Sequence, residues 1–485
     1  FFVVPAMNYK KHGKIIYALI ALGGVFCAVL SFFKFSLGCD DMAAVGMCIP
    51  GSFSDMMAAV IAGDRNPPLS HIFFWLWLKI IPRNDFILVL PTFISLGVGI
   101  FLCGLTGERI RGFWGGVIAA AFSAAGSLIM YSYWARPYGF VFFGAALAAY
   151  LYMGGFRESK TKESLKGQIL LGLLFVFLAG THYYGIFPVL ACFICDFVSV
   201  LKKRNKPVVF LSYAICAVAF GFWVVFGILL PAARGAAQIS SAFVYGTTRR
   251  GFKVLRSCLC DRHYHFKRFS IIISLFGVVM YFVRREVRKY SIILASLFLT
   301  VYIILTGGAI MSGTVLLEAR YFAAFVPGIS LLLADLLFAV KNRAVVGLMA
   351  LLALFCVAST LRTEVVKPIN RTFPYKAAAE YLLTREDIFD DNVTTTAFWL
   401  PFANQVTAEG WQYWYMSKGG KTADVSYYGK PDMYDGKDVV YLFRNPAIES
   451  IYAEWFAGYD TDGFEPEPGA EYGIYRCVIE KYVRK

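Results

Sequence analysis

The chain has 485 residues, of which 58% are hydrophobic and 16% are charged, and its mean hydropathy is +0.59. This composition excludes an ordinary soluble protein and predicts a polytopic α-helical membrane protein. Residues 1–361 carry 33 Lys and Arg against 13 Asp and Glu, whereas residues 362–485 carry 14 against 19. Because the basic residues separate apolar segments and form no continuous face, nucleic-acid binding is a poor interpretation.

Eleven segments are apolar and long enough, or nearly so, to cross a bilayer. They are 15–33, 86–104, 113–133, 137–153, 168–181, 183–201, 207–230, 269–283, 290–306, 321–340 and 344–361. A shorter apolar segment, 69–81, decides the topology. If it does not cross, the basic N-terminal segment and the basic loops at 109–111, 157–166, 202–204, 284–285 and 341–343 all fall on the inner side, which is where Lys and Arg are enriched in membrane proteins. The sequence therefore predicts about 11 transmembrane helices with the N-terminus inside, the C-terminus outside, and an interfacial or re-entrant helix over 69–81.

The predicted topology divides the chain into two domains. Residues 1–361 form a transmembrane domain whose first loop, 34–85, lies on the outer face. Residues 362–485 form a small extracytoplasmic α/β domain, because apolar strand segments such as 439–443 alternate there with turn residues. An amphipathic helix is expected to open this tail near 374–385.

Three acids fall in the first outer loop, Asp40, Asp41 and Asp64. An acid beside a bilayer is costly to keep, so it is a candidate functional residue. A carboxylate at Asp40 or Asp41 could deprotonate a hydroxyl group or hold a divalent cation against a phosphate. The alternatives are a polar loop acid near the headgroups and, for Asp64, an ordinary turn before a helix that starts with Pro67.

Arg136 lies at the outer end of a predicted span, where the inward bias of basic residues disfavours it. A phosphate is its natural partner because a guanidinium group offers a planar fork of donors, although it could also reach up to anionic headgroups. The basic outer loop 231–268 would suit a polyanionic substrate or a lipid phosphate in the same way.

His182 and Tyr183 occupy another outer turn, and Glu318 and Arg320 lie in a third. A lone His is more often a structural residue than a base or a ligand. Glu318 and Arg320 could form a local ion pair or line a pocket for the acceptor or the phosphate. No phosphate-binding P-loop, Gly-rich dinucleotide turn or zinc motif is present in the sequence.

Several of these residues match a known pattern. Asp40-Asp41-Met42, followed by Asp64-Arg65-Asn66-Pro67-Pro68-Leu69, resembles the DE…DxHPPLYY pattern of polyprenyl-phosphate-sugar-dependent glycosyltransferases of the membrane C-superfamily. The resemblance is to the branch with protein O-mannosyltransferases and the aminoarabinose transferase of lipid A. Arg136-Pro137-Tyr138 and Glu318-Ala319-Arg320-Tyr321 resemble two further sites of that branch, so the match covers most of residues 15–340.

The resemblance implies a glycosyltransferase of a bacterial plasma membrane, with its active site on the extracytoplasmic face and juxtamembrane helices in its first loop. It would move a sugar, with inversion, from a polyprenyl-phosphate donor to a hydroxyl acceptor on a glycolipid, an envelope polymer or a protein. Asp40 is then the expected base, with Asp41 and Asp64 as the other catalytic acids. Asn66 stands where the family often has His. A divalent metal on Asp40 and Asp64 is therefore an open question, and no other cofactor is expected.

The expected donor-phosphate site consists of basic and aromatic residues: Arg136, Tyr138, Lys253, Arg256, Arg320 and Tyr321. The residues expected to serve the acceptor or the structure are His182, Tyr183 and Glu318. A transporter or flippase could use the same charges to move a polyprenyl-linked substrate without chemistry. The internal repeats and broken helices that are common in transporters are not evident in the sequence. A non-catalytic membrane scaffold is a third alternative.

Overall fold

A computed structural model describes thirteen stretches of the chain: 9–35, 37–49, 51–64, 66–125, 134–152, 164–203, 205–233, 323–338, 375–396, 405–426, 434–444, 463–474 and 477–485. Helices make up the stretches before residue 339, and a small mixed sheet with two helices makes up the stretches after residue 374. This arrangement agrees with the predicted order of a helical domain followed by an α/β tail.

The first long helices are α1 (Tyr9–Phe35) and α5 (Asp85–Ala125), which pack along each other. The 27 residues of α1 extend over about 40 Å, enough to cross a hydrocarbon core of about 30 Å. The backbone of α5 leaves helical geometry at Arg111 and at Gly112, whose φ of +72° favours glycine. The two halves of α5 correspond to the separate spans predicted over 86–104 and 113–133.

Glycines allow the two halves of α5 to approach closely. A Cβ atom added to Gly107 or to Gly115 would collide with the backbone carbonyl of the other glycine. On the neighbouring turns, Gly104 and Gly116 pack against the ring of Tyr17, whose hydroxyl donates a hydrogen bond of 3.2 Å to the carbonyl oxygen of Phe113. Small residues at such contacts are typical of helix packing within membranes, where close backbone approach supplies the attraction.

Three short helices occupy the first loop: α2 (Cys39–Met47), α3 (Phe53–Gly63) and α4 (Leu69–Ile80). Ser52 caps α3 by accepting a hydrogen bond of 3.1 Å from the Asp55 backbone N–H. α4 lies where the sequence predicts a non-crossing helix. Its 12 residues extend over about 18 Å, well short of a hydrocarbon core of about 30 Å.

The remaining helices of this part follow in chain order. They are α6 (Tyr138–Tyr150), α7 (Leu165–Thr181), α8 (Ile186–Leu201), α9 (Leu211–Trp223), α10 (Leu230–Ala233) and α11 (Val326–Phe338). Short 3₁₀ turns precede α8 and α9, and a π-helical stretch, Val224–Leu229, joins α9 to α10.

Within the described stretches, four helical segments are long and apolar enough to cross a membrane. They are Gly13–Phe33, Asp85–Ala124, Tyr183–Leu201 and Pro207–Leu229. The predicted spans 269–283, 290–306 and 344–361 lie outside the described residues. Eleven crossings and the orientation of the termini therefore stay predictions.

The tail combines α12 (Tyr375–Leu382) and α13 (Gln405–Trp414) with a five-stranded sheet and a two-stranded hairpin. The strands are β1 (Val393–Thr396), β2 (Ser417–Lys418), β3 (Lys421–Thr422), β4 (Val425–Ser426), β5 (Val439–Arg444), β6 (Phe464–Ile474) and β7 (Cys477–Arg484). The sheet order is β4-β1-β5-β7-β6, with β1 parallel to β4 and β5, and β7 antiparallel to β5 and β6. The predicted strand over 439–443 and the predicted helix near 374–385 are both observed.

One prediction tests the glycine contact within α5. Gly107→Val should lower the free energy of unfolding by roughly 1–3 kcal/mol, because the added methyl groups have no space beside Gly115. Gly221→Val in α9 is the matched control, since a Cβ atom there meets nothing within 4 Å. Thermal unfolding of both variants in detergent gives the comparison, and equal midpoints would contradict close packing at Gly107.

Candidate active site

Three segments of the chain meet at the candidate site. They are the start of α2, the turn between α3 and α4, and the turn 134–137 that precedes α6. The meeting is made by polar contacts from Asp41 and Asp64 to residues of the 134–137 turn. Asp41 and Asp64 are therefore brought to the turn that contains Arg136, through contacts between residues 94 and 72 positions apart along the chain.

Asp41 connects α2 to the 134–137 turn through its two carboxylate oxygens. Oδ2 accepts a hydrogen bond of 2.8 Å from the N–H of Gly38, which closes the first turn of α2. Oδ1 accepts a hydrogen bond of 2.7 Å from the N–H of Ala135. The residue is only 1% exposed, so both bonds are shielded from water.

Burial raises the pKa of Asp41 to about 7. The hydrogen bond from Gly38 opposes this rise, the neighbouring charge of Asp40 adds to it, and the charge of Arg136 opposes it again. Asp41 is thus a carboxyl group that changes its charge near neutral pH. Asp40, one residue earlier in the first turn of α2, is partly exposed.

Asp64 is the centre of a second polar cluster. Its Oδ2 lies 3.0 Å from Nη1 of Arg136 and 3.0 Å from Nε2 of His71, and its Oδ1 accepts a hydrogen bond of 2.6 Å from Nδ2 of Asn66. The side chains of Arg136 and Asp64 are 10% and 9% exposed, so this ion pair is largely removed from water.

Burial alone would raise the pKa of Asp64. The charge of Arg136 and the interactions with His71 and Asn66 outweigh burial and hold the pKa well below its usual value. Asp64 is therefore a permanent anion at physiological pH. Its charge compensates that of Arg136, for which the sequence suggests a phosphate or an anionic headgroup as the partner.

His71 is the member of this cluster that the sequence patterns do not assign to the site. It lies in the first turn of α4 and is 3% exposed, and its carbonyl oxygen accepts a hydrogen bond from the Cys48 thiol at 3.4 Å. Its Nδ1 atom is buried and has no hydrogen-bond partner among the described residues. The only sequence signal is its spacing from Asp64, because the Pro67-Pro68 turn folds the start of α4 back onto that acid.

The structure places two of the other predicted residues beside this cluster. Tyr138, 1% exposed, opens α6 two residues after Arg136, and its ring centre lies 5.8 Å from that of His182. Nδ1 of His182 accepts a hydrogen bond of 3.2 Å from the N–H of Tyr184, which suits a structural residue of the turn. The hydroxyl of Tyr183 instead accepts a hydrogen bond from Trp223, so that side chain is directed towards α9.

Five predicted residues lie outside the described stretches: Lys253, Arg256, Glu318, Arg320 and Tyr321. Their parts in a phosphate or acceptor site stay predictions.

A divalent cation does not fit Asp64 as the structure presents it. Both of its oxygens are taken by the donors of Arg136, His71 and Asn66, and a metal would have to displace them. Within the stretches that the structure describes, no group of three or more His, Cys, Asp or Glu side chains could hold a metal ion.

Comparison of the structure with solved structures gives extensive matches. ArnT from Cupriavidus metallidurans in the apo state has a TM-score of 0.57 at 10% sequence identity, over 97% of this chain and 98% of that chain. The chain has the ArnT fold. The same ArnT bound to undecaprenyl phosphate has a TM-score of 0.54 at 10% identity, over 96% and 97% of the two chains.

The resemblance predicts a fold like that of the lipid A aminoarabinose transferase branch, and at the level of fold this prediction is confirmed. A weaker similarity, with a TM-score of 0.48 and 12% identity, links 90% of this chain to 69% of an oligosaccharyltransferase from Archaeoglobus fulgidus. No family model and no curated protein matches the sequence. The likeness to ArnT is therefore one of fold.

A double-mutant cycle tests the buried pair. Arg136→Gln or Asp64→Asn alone should lower the free energy of unfolding by roughly 3–5 kcal/mol, because each leaves a buried charge without its partner. The double variant should lose roughly 1–3 kcal/mol less than the sum. In the tail, the more exposed pair Arg444–Glu480 is the control and should give a coupling below about 1 kcal/mol. Additive losses at Asp64 and Arg136 would show that they do not interact.

A second prediction concerns pH. The folded state holds the proton of Asp41 more tightly than the unfolded chain does, since the pKa rises from 3.8 to about 7 on folding. The stability contributed through Asp41 should therefore fall as pH increases from 3.8 to about 7 and stay constant above that.

The unfolding midpoints of the wild type and of Asp41→Asn, measured across this pH range, give the difference that isolates Asp41. The exposed acid Asp55 supplies the control, Asp55→Asn. A difference between the wild type and Asp41→Asn that does not vary with pH would contradict the assignment.

Proposed function

We propose that this protein is an integral membrane glycosyltransferase. It transfers a sugar from a polyprenyl-phosphate donor to a hydroxyl acceptor on the extracytoplasmic face of a bacterial plasma membrane. The observation that carries the proposal is the likeness in fold, over nearly the whole of both chains, to an ArnT with bound undecaprenyl phosphate. The cluster of first-loop acids with Arg136 of the 134–137 turn adds support, because it contains the residues that such a reaction needs.

Asp40 is the proposed general base. Both oxygens of its neighbour Asp41 accept backbone hydrogen bonds, and that side chain is buried, so Asp41 is suited to hold α2 in place. Asp40 is partly exposed in the same turn and is the acid that an acceptor can reach. It would take the proton of the acceptor hydroxyl as the oxygen attacks the anomeric carbon.

Arg136 is the proposed partner of the donor phosphate. Its guanidinium group carries five N–H donors, and the contact with Asp64 is made through Nη1. Asp64 fixes the direction of this side chain, and Arg136 stabilises the charge that collects on the phosphate as its bond to the sugar breaks. Arg320, Lys253 and Arg256 are proposed to share this task, with Tyr138 and Tyr321 as further lining residues.

The reaction is proposed to be a single displacement. The acceptor oxygen forms its bond to the anomeric carbon, the bond from that carbon to the phosphate oxygen breaks, and polyprenyl phosphate leaves with the electron pair. Attack from the face opposite the leaving group inverts the configuration of the sugar, as in single-displacement glycosidases. His182, Tyr183 and Glu318 are proposed to serve the acceptor or the local structure.

The direct test is release of polyprenyl phosphate by the purified protein incubated with polyprenyl-phosphate sugars and a mixture of hydroxyl acceptors. The wild type should release it, and Asp40→Asn should lower the rate by roughly 100-fold or more, because the variant cannot accept the proton. Asp55→Asn is the matched control on the same loop and should keep the wild-type rate, since Asp55 is exposed in α3.

Two results would contradict the proposal. Full turnover by Asp40→Asn would remove Asp40 as the base. Movement of intact lipid-linked sugar across vesicle membranes, without release of polyprenyl phosphate, would favour a flippase instead.

A further inference from the structure

The tail rests on the helix that carries the two acids. Gly410, in the middle of α13, faces α2 so closely that a Cβ atom there would collide with the carbonyl oxygen of Met42 and lie 2.9 Å from the backbone nitrogen of Gly46. The two helices therefore touch backbone to backbone. Among the described elements, α13 makes the most extensive contact of any helix with α2, well beyond those of α3 and α4.

The same surfaces share one hydrophobic core. Met42 and Val45 of α2 are buried in a cluster that also contains Trp411 of α13 and Tyr375 of α12. Nε1 of Trp411 donates a hydrogen bond of 3.2 Å to the carbonyl oxygen of Tyr375, which fixes α13 against α12. The tail is thus continuous in packing with the first loop.

Polar contacts hold the tail at a second point, between α4 and α5. Arg83 donates a hydrogen bond of 2.7 Å to Ser417 and lies over the ring of Tyr413, with 4.0 Å from Cζ to the ring centre. Asp85 accepts a hydrogen bond of 3.0 Å from Nζ of Lys376. Because the tail is attached both at α2 and at the segment between α4 and α5, it cannot rotate about either attachment alone.

α2 depends on such support because it is short. A helix of nine residues is not stable by itself in water, so its position is set by what it packs against. A catalytic group displaced by about 1 Å can lose roughly 100-fold in rate. Whatever fixes α2 therefore fixes Asp40.

We propose that the tail is a brace that positions α2 for sugar transfer, and that Gly410 is its positioning residue. The inference rests on the proposed function, in which Asp40 of α2 is the base. Gly410 touches neither the donor nor the acceptor; it acts through the backbone of Met42 and Gly46. A side chain at this position separates α13 from α2 and releases the helix.

The test compares Gly410→Val with Gly473→Ala in the full-length protein. Gly473 lies in the same tail, on β6, where a Cβ atom meets nothing within 4 Å. Amide hydrogen exchange of residues 39–47 should become faster in Gly410→Val and stay unchanged in Gly473→Ala. The release of polyprenyl phosphate should fall by roughly 100-fold in kcat, with the KM for the lipid donor unchanged, because Asp40 moves while Arg136 does not.

A second variant keeps the test decisive if Gly410→Val does not fold. Lys376→Glu places a carboxylate opposite Asp85 at the partly exposed attachment and leaves the core intact. It should speed exchange in α2 and lower kcat by a smaller factor. Lys418→Glu, the same charge change at an exposed position of the tail, should do neither.

The outcomes separate the two proposals. If the wild type releases no polyprenyl phosphate, the proposed function fails. The support of α2 by the tail is then tested by hydrogen exchange of residues 39–47 alone. Folded variants at Gly410 and Lys376 that keep wild-type exchange in α2 and wild-type kcat would overturn the brace.

Discussion

The buried ion pair between Asp64 and Arg136 is the interaction on which the site depends. Removing a carboxylate and a guanidinium group from water is costly, and the cost is offset only where geometry and further hydrogen bonds are good. Here the carboxylate has three donors, from Arg136, His71 and Asn66. The pair therefore fixes the distance between the first loop and the turn before α6, two segments far apart in the chain.

Asp41 also connects the first loop to the 134–137 turn, but burial and nearby charges shift its pKa in the opposite direction to that of Asp64. The carboxylate of Asp41 accepts two backbone N–H groups, and these bonds and the charge of Arg136 only partly offset burial. The pKa of Asp41 therefore rises, whereas the pKa of Asp64 falls. Two acids of the same loop thus differ in charge state because one pairs with an arginine and the other with amide dipoles. The first holds Arg136, and the second joins α2 to the backbone of Ala135.

The tail also holds α2, through contacts other than those with the 134–137 turn. Its helix α13 lies on α2 at Gly410, and α12 reaches the start of α5 through Lys376 and Asp85. The helix that carries Asp40 and Asp41 is therefore enclosed between the 134–137 turn and the tail. Such enclosure gives a short helix a defined position that its own length cannot supply.

The sequence by itself determined the helical fold class, the position of the short helix α4, the α/β tail, and the first-loop acids with Arg136 as a candidate site. Those features follow from apolar length, charge distribution and local spacing, which are properties of neighbouring residues. Only the tertiary structure decided that Asp64 pairs with Arg136 and His71, that Asp41 holds Ala135, and that Gly410 meets α2. These are contacts between segments brought together by packing, and no local pattern encodes which side chains then face each other.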